Sequence, residues 1–157
     1  MNPVTGEGLV RHARLAAVLS LLAVAGCGGP LILQFRGGPN LNQNDKTPPE
    51  NIPVDVRVFL LKDKTAFVTA PFEQLWKDKY KAVLGADVVG EPRTITIVAS
   101  QPDKLDLGQI PTEVRFIGIM AMIQKKTEPP SLRHTAVPKD EAASKIFELV
   151  DYKLVVK

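Results

Sequence analysis

Alternating apolar and polar residues predict two strands in this chain. Every second side chain of residues 54–61 is apolar and shares one face: Val54, Val56, Val58 and Leu60. Asp55 and Arg57 occupy the other face, and this period of two is typical of a strand buried on one side. Residues 93–99 repeat the pattern with Ile95, Ile97 and Ala99 on the inner face. We therefore expect two half-buried strands.

A third strand is predicted where apolar residues occupy both faces. Residues 116–123 are almost entirely apolar, which is typical of a strand that is covered on both sides at the centre of a sheet. Gly118 within this run indicates close packing against a neighbour. The polar face of residues 54–61 turns apolar at Phe59 and Leu61, so we expect another element to cover that end of the sheet.

Residues 64–79 are the predicted cover. Pro71 suits the first position of a helix, and Phe72, Leu75 and Trp76 follow at the spacing of one helical face. The sequence therefore predicts one short helix whose apolar stripe packs on the sheet. The same spacing favours packing over ligand stacking as the role of Trp76.

Shorter segments complete the predicted fold. The remaining strand candidates are short apolar runs: residues 31–35, a possible strand at 132–137, and closing strands at 147–150 and 153–157. Residues 82–90 are expected to form a turn and a brief extended piece, and residues 100–112 a loop through Pro102, Gly108 and Pro111. Several short strands with one good helix predict a mainly β fold, an antiparallel β-sandwich.

The longest predicted loop joins the first two strands. Residues 37–53 are dominated by Gly, Pro, Asn and Asp. Loops beyond about 12 to 15 residues are uncommon in compact domains and are usually functional or disordered. This loop is therefore a candidate binding surface, and a flexible connector is the alternative.

The N-terminal residues resemble a secretory signal. Arg11 and Arg14 precede eleven uncharged residues at 15–25, and the run ends in Gly26 and Cys27. This run is shorter than the roughly 20 residues that a membrane-spanning helix needs. The segment Val-Ala-Gly-Cys matches the bacterial lipobox, in which the cysteine thiol receives diacylglycerol and the freed amine receives a further acyl chain. Cys27 is therefore the predicted lipidation site and the first residue of the mature protein.

Two consequences follow from this prediction. Residues 1–26 become a lipoprotein signal peptide, and residues 27–157 become one lipidated domain. Cleavage removes two basic residues and one acidic residue, so the net charge falls from 20 − 17 = +3 to 18 − 16 = +2. Gly28 stands where an aspartate usually retains lipoproteins in the inner membrane, so we expect the periplasmic face of the outer membrane in a Gram-negative host. Several acyl chains hold a protein stably at a membrane.

Composition argues against several functional classes. The charges alternate along the chain and form no basic stripe, so no nucleic-acid partner is expected. The single cysteine excludes an intrachain disulfide, and the sequence has no cysteine–histidine cluster for a metal.

The sequence does not predict an enzyme. The only histidine after the signal is His134, which we interpret as a surface-loop residue rather than the partner of a catalytic serine. Asp103 and Asp106 lie in a polar segment and are expected to be solvated. No phosphate-binding, dinucleotide or zinc-protease motif is present. We therefore expect no cofactor beyond the acyl chains on Cys27 and no small-molecule substrate.

Five segments, taken in order, resemble the type VI secretion system outer-membrane lipoprotein family, TssJ. They are Pro39-Asn40-Leu41-Asn42, the strand at residues 53–62, the helix at 67–76, Leu84-Gly85-Ala86-Asp87-Val88-Val89, and the strand at 115–121. The resemblance covers residues 27–123. The Pro-Gly turn that the family tends to carry after the fourth segment is missing, and so is its Trp-Arg ending.

The resemblance implies a fold, a partner and a binding segment. The fold is a transthyretin-like antiparallel β-sandwich with a small helical insert. The implied function is to anchor the secretion membrane complex at the outer membrane by binding the periplasmic C-terminal domain of TssM. The expected partner contacts lie in the loop between the first two strands: Asn40, Leu41, Asn42, Asn44 and Asp45. Leu41 is the expected apolar anchor, while internal capping of the loop is the alternative role of the Asn and Asp side chains.

Two other functions also fit the residues. A periplasmic lipoprotein could bind a small ligand or a peptide in a pocket near Trp76. A lipidated enzyme inhibitor would likewise use a stable sandwich with a protruding loop.

Overall fold

Two four-stranded sheets face each other in a computed structural model, which describes residues 29–77, 79–124 and 133–157. The strands are β1 Ile32–Gly37, β2 Val54–Leu61, β3 Arg93–Ile97, β4 Pro102–Asp106, β5 Phe116–Ala121, β6 His134–Pro138, β7 Ile146–Val150 and β8 Lys153–Val156. One sheet has the order β4-β1-β7-β8 and the other β3-β2-β5-β6. The predicted β-sandwich is confirmed.

Among the eight strands given above, pairing is antiparallel except between β1 and β7. β1 pairs antiparallel with β4 and parallel with β7, with Phe35 opposite Phe147. The predicted strands at 54–61, 93–99 and 116–123 are confirmed, and β5 lies centrally between β2 and β6. The closing strands are confirmed as β7 and β8. Of the possible strand at 132–137, residues 134–137 lie in β6, and residue 132 lies outside the described residues.

Side chains from the inner faces of both sheets form the main core. Leu33, Phe35 and Phe147 of one sheet are buried, and the two phenylalanine rings lie 5.5 Å apart. Val56 and Ile119 face them from the other sheet within the same cluster. The core therefore follows from the period-two geometry of a strand, which directs every second side chain of these strands to the inner face.

A helical insert between β2 and β3 forms a second core on the outer face of the β3-β2-β5-β6 sheet. It contains three short helices: α1 Thr65–Thr69, α2 Phe72–Trp76 and α3 Tyr80–Leu84. Phe59 and Leu61 are fully buried beneath it, as their outward position requires. A β-carbon on Gly118 would lie 2.8 Å from Leu61 Cδ1 and 2.9 Å from Phe67 Cζ. The predicted close packing at Gly118 is confirmed.

The short helix predicted to begin at Pro71 is confirmed as α2, but the expectation of only one helix in residues 64–79 is wrong, because α1 precedes it and the backbone breaks on both sides of α2. Ala70 is extended, with ψ 146°, as expected for the residue before a proline. Lys77 is extended as well, with ψ 169°. The turn predicted from Ala82 is also wrong at its start, since α3 continues to Leu84 before a 3₁₀ turn at Gly85–Asp87.

Two further elements differ from the predictions. The loop predicted at 100–112 contains β4, an edge strand whose polar pattern hides it because most of its side chains face solvent. Asp103 and Asp106 lie on it and are exposed, as predicted. A short helix, α4 Lys139–Ala142, follows β6 and was not predicted.

The strand directions give the sandwich two distinct ends. β1 begins at what we call the N-terminal end, which comprises residues 29–31, 107–115 and 139–145. It finishes at what we call the loop end, which comprises residues 38–53, 98–101, 122–124 and 151–152. The two ends are joined directly by β1, and this geometry positions the candidate site.

Candidate partner-binding surface

Two buried residues fix the start of the loop between β1 and β2. Leu41 has no exposed surface and belongs to the main core, and Asn42 is 1% exposed. The Asn42 amide N–H donates to the Asp151 carbonyl at 2.8 Å, and its Oδ1 accepts from the Gln124 N–H at 2.9 Å. Asn42 also adopts a left-handed conformation, with φ 47°, which asparagine tolerates better than most residues. The loop start is therefore part of the folded domain.

Further contacts close the base of the loop. The Tyr152 hydroxyl donates to the Gln43 carbonyl at 3.0 Å. Gln43 pairs with Asn51 in an isolated antiparallel bridge, and Asn51 Nδ2 donates to the Pro39 carbonyl at 2.8 Å. Residues 44–50 therefore form a tip that is held at both of its ends.

One asparagine organises this tip. Asn44 Oδ1 accepts from the backbone N–H groups of Lys46 and Glu50 at 3.2 and 3.0 Å, and its Nδ2 donates to the Glu50 carboxylate at 3.1 Å. Lys46 Nζ also lies 2.7 Å from Glu50 Oε2, with both side chains more than half exposed. The hydrogen bonds from Lys46 and Asn44 lower the pKa of Glu50. The tip therefore presents an ordered set of polar groups to solvent.

The structure divides the five loop residues predicted to bind a partner. Leu41 and Asn42 are buried within this chain, so the exposed apolar anchor expected at Leu41 is wrong: the side chain fills the core instead. Internal capping is observed for Asn42 and Asn44. Asn40 and Asp45 are exposed, and Asn44 is partly exposed. Partner binding by the exposed residues remains a prediction.

Sequence reasoning did not name Lys46 and Glu50 among the expected partner contacts, although both lie in the predicted loop. Their opposite charges stand four residues apart, a spacing that predicts an ion pair when the residues lie on a helix. The intervening Thr47-Pro48-Pro49 excludes a helix, so the spacing did not predict this ion pair. The polar network around Asn44 brings them together instead.

A second notable cluster joins the helical insert to the sheet. The Arg57 guanidinium lies 4.6 Å from the centre of the Trp76 ring and also donates to the Trp76 carbonyl. Trp76 stacks on Phe72 with ring centres 6.0 Å apart, and the guanidinium of buried Arg133 lies 4.4 Å from the Phe72 ring. This Arg–Trp–Phe–Arg stack gives Trp76 the packing role that its spacing predicts.

His134 is not the surface-loop residue that the sequence suggested. It begins β6, is 4% exposed, and its ring lies 5.6 Å from Phe67 and 6.3 Å from Phe72. The imidazole is buried because it occupies the outer face of the sheet directly beneath the helical insert.

One cavity lies at the N-terminal end, far in sequence from Trp76. Its volume is about 620 Å³, and it is lined by three segments: Gly29–Leu31, Gln109–Thr112, and Lys139, Asp140 and Ala143 of α4 and the turn after it. The ligand pocket expected near Trp76 in the alternative function does not coincide with this cavity.

Within residues 29–77, 79–124 and 133–157, no group of three His, Cys, Asp or Glu side chains is arranged to hold a metal ion. In the same part of the chain, no helix has the length and apolar character needed to cross a membrane. The predicted signal peptide at 1–26 and the predicted lipidation site Cys27 lie outside the described residues.

Family comparison identifies the class of protein. Residues 30–153 match the T6SS-SciN family, described as type VI secretion lipoprotein and including VasD, EvfM and TssJ. The chain belongs to this family, as its sequence resemblance predicted. The family is a component of the secretion apparatus and not an enzyme, which confirms the non-catalytic prediction. No curated protein sequence is similar enough to count as a match.

Solved structures share the fold at low sequence identity. Lip from Serratia marcescens, a membrane-bound component of the type VI secretion system, is 20% identical with a TM-score of 0.69, over 82% of this chain and 97% of that one. TssJ1 from Pseudomonas aeruginosa is 16% identical with a TM-score of 0.67, over 82% and 95%. A chain in the structure described as the T6SS protein TssM C-terminal domain from EAEC is 18% identical with a TM-score of 0.65, over 82% and 98%.

Proposed function

We propose that this protein anchors the type VI secretion membrane complex at the outer membrane by binding the periplasmic C-terminal domain of TssM. The family match over residues 30–153 carries this proposal. The similarity to a chain in a structure of the TssM C-terminal domain supports TssM as the partner. Anchoring is assigned to acyl chains on Cys27, which stands at the end of the lipobox.

The exposed part of the loop end is the proposed TssM contact. Within it we assign the contact to four exposed side chains and the partly exposed Asn44: Asn40, Asn44, Asp45, Lys46 and Glu50. Their backbone is already ordered by Asn42 and Asn44, so little conformational entropy is lost when a partner binds. Leu41 supports this surface from inside the core and does not contact the partner.

Replacement of Cys27 by Ser tests the anchoring part. We expect the Cys27→Ser protein to leave the outer-membrane fraction and the apparatus to stop secreting. The matched control is Ser20→Ala, which changes a small residue inside the signal and leaves the lipobox intact. A Cys27→Ser protein that still fractionates with the outer membrane and supports secretion contradicts the anchor.

Calorimetry with TssM tests the binding part. In the processed lipoprotein held in detergent, Asn40→Ala with Asp45→Ala is expected to weaken binding to the TssM periplasmic domain by about tenfold, or about 1.4 kcal/mol. Gln109→Ala with Thr112→Ala is the control, because these residues are also polar and exposed but lie at the N-terminal end. Undiminished affinity in a folded loop variant moves the interface away from this loop.

A further inference from the structure

The chain leaves almost no slack between the proposed lipid anchor and the folded domain. Leu31 is the first residue fixed on both sides: its N–H donates to the Gly108 carbonyl and its carbonyl accepts from the Leu107 N–H, each at 2.9 Å. It is also only 9% exposed. Four residue steps separate Cys27 from Leu31, which at full extension span at most about 14 Å.

This length limits how far the domain can stand from a bilayer. The headgroup region is about 5 to 7 Å thick on each side of the hydrocarbon core. An acylated cysteine sits at the base of that region, so about 7 to 9 Å of tether remains outside it. That distance is less than the roughly 10 to 12 Å diameter of a single helix with its side chains. No folded element fits between the N-terminal end and the bilayer, so the N-terminal end must stay next to the headgroups.

The surface at this end suits headgroup contact. The cavity of about 620 Å³ opens beside the segment Gly29–Leu31, through which the chain enters the domain. Its lining carries one cationic side chain, Lys139, and one anionic side chain, Asp140; the other residues are uncharged. The rest of this end adds Arg115 and Lys145 against Glu113 and Glu141, so cationic and anionic residues are equal in number. Such a balanced surface suits zwitterionic headgroups, and Lys139 can place its ammonium beside a lipid phosphate.

We propose that the N-terminal end, formed by residues 29–31, 107–115 and 139–145, is a membrane-docking surface that rests on the phospholipid headgroups of the bilayer carrying the acyl chains. This inference rests on the acylation of Cys27 in the proposed function. It also gives the sandwich one orientation. β1 rises about 3.3 Å per residue, so its six residues place the loop end about 20 Å farther from the membrane.

Quenching by headgroup-attached nickel tests this orientation. The full-length lipoprotein, purified after processing, is reconstituted in phosphatidylethanolamine and phosphatidylglycerol vesicles that contain a nickel-chelating lipid. A fluorophore is placed on Thr112→Cys at the N-terminal end or on Lys46→Cys at the loop end, both at exposed positions. The acylated sulfur of Cys27 does not react, so each protein carries one label. We expect quenching at position 112 to exceed that at position 46 at least threefold.

A variant with a longer tether tests whether the short tether is what holds the N-terminal end at the membrane. Insertion of ten Gly and Ser residues between Gly28 and Gly29 should reduce quenching at position 112 to the level at position 46. Equal quenching of the two labels without the insertion overturns the docking surface, and strong quenching at position 112 with the insertion overturns the role of the short tether. Protein that fails to float with the vesicles, and whose mass shows no acyl chains, contradicts the proposed function instead.

Discussion

The two connections that flank β2 are both held in a fixed shape, but by different kinds of interaction. The loop at 38–53 precedes β2 and is held by hydrogen bonds in which the Asn42 and Asn44 side chains accept and the Tyr152 hydroxyl donates, while only its start is buried. The helical insert follows β2 and is held by buried aromatic rings around Phe67. A segment shaped by polar contacts can keep its surface available for a partner, whereas one shaped by apolar packing must use its surface for the fold.

The largest expected effect lies in the insert. Phe67 is fully buried, with its ring centre 5.3 Å from that of Phe59. Phe67→Ala should lower the free energy of unfolding by about 3 to 5 kcal/mol, because it removes a buried ring and leaves a cavity. Denaturant unfolding measures this change. Val68→Ala is the control in the same helix, since Val68 is 44% exposed; equal losses for the two variants would show that the insert is not packed as described.

The loop offers a second, slightly smaller effect. Leu41→Ala should lower the free energy of unfolding by about 2 to 5 kcal/mol, because Leu41 is a core residue despite its position in a polar loop. Lys46→Ala, at the exposed tip, should change it by less than about 0.5 kcal/mol. Thermal unfolding of both variants measures how much the buried start and the exposed tip of the loop each contribute to stability. A neutral Leu41→Ala would restore the exposed anchor expected from sequence.

A smaller effect concerns the attachment of the insert to the sheet. A double-mutant cycle of Arg57→Ala and Trp76→Leu should give a coupling energy of about 1 kcal/mol, the value typical of a partly exposed cation–π pair. Because Arg57 also donates to the Trp76 backbone carbonyl, the Leu variant keeps that hydrogen bond and isolates the ring contact. Strict additivity of the two substitutions would contradict the stacking.

The smallest expected effect is a pH dependence at the end of the insert. The Lys81 and Tyr80 side chains donate to the Glu91 carboxylate and lower its pKa below the ordinary value of 4.5. The ionised form is therefore favoured in the fold. Its contribution is present above about pH 4.5 and is lost as the pH falls through the lower folded-state pKa. We expect the melting-temperature difference between the native protein and Glu91→Gln to shrink below pH 4.5. A constant difference from pH 7 to pH 3 would exclude this contribution.

The success of sequence reasoning depended on burial. β2 and β5 were predicted because burial on one or both faces imposes a pattern on every residue. β4 was missed because an edge strand with charged, exposed side chains carries no such pattern. Of the three helices of the insert, α2 was predicted because its apolar stripe begins at a proline, whereas α1 and α3 were missed because five residues are too few to show a helical period.

The candidate site was harder to predict than the fold. Leu41 was expected to face a partner because its neighbours in sequence are polar, but its burial depends on strands far away in the chain. His134 was misplaced for the same reason: among the described residues, the insert that packs on its ring lies more than forty residues earlier in the sequence. Tertiary contacts of this kind leave no local trace in a single sequence.

The position of β1 has a mechanical consequence. It is an interior strand, with β4 on one side and β7 on the other, and its two ends lead to the tether and to the loop. A pulling force between a membrane anchor and a partner on the loop would act along the strand axis. Because the force enters and leaves through the two ends of the same strand, the covalent backbone of β1 would carry it, and the hydrogen bonds to β4 and β7 would not have to break. The sandwich is thus arranged to transmit tension between its ends.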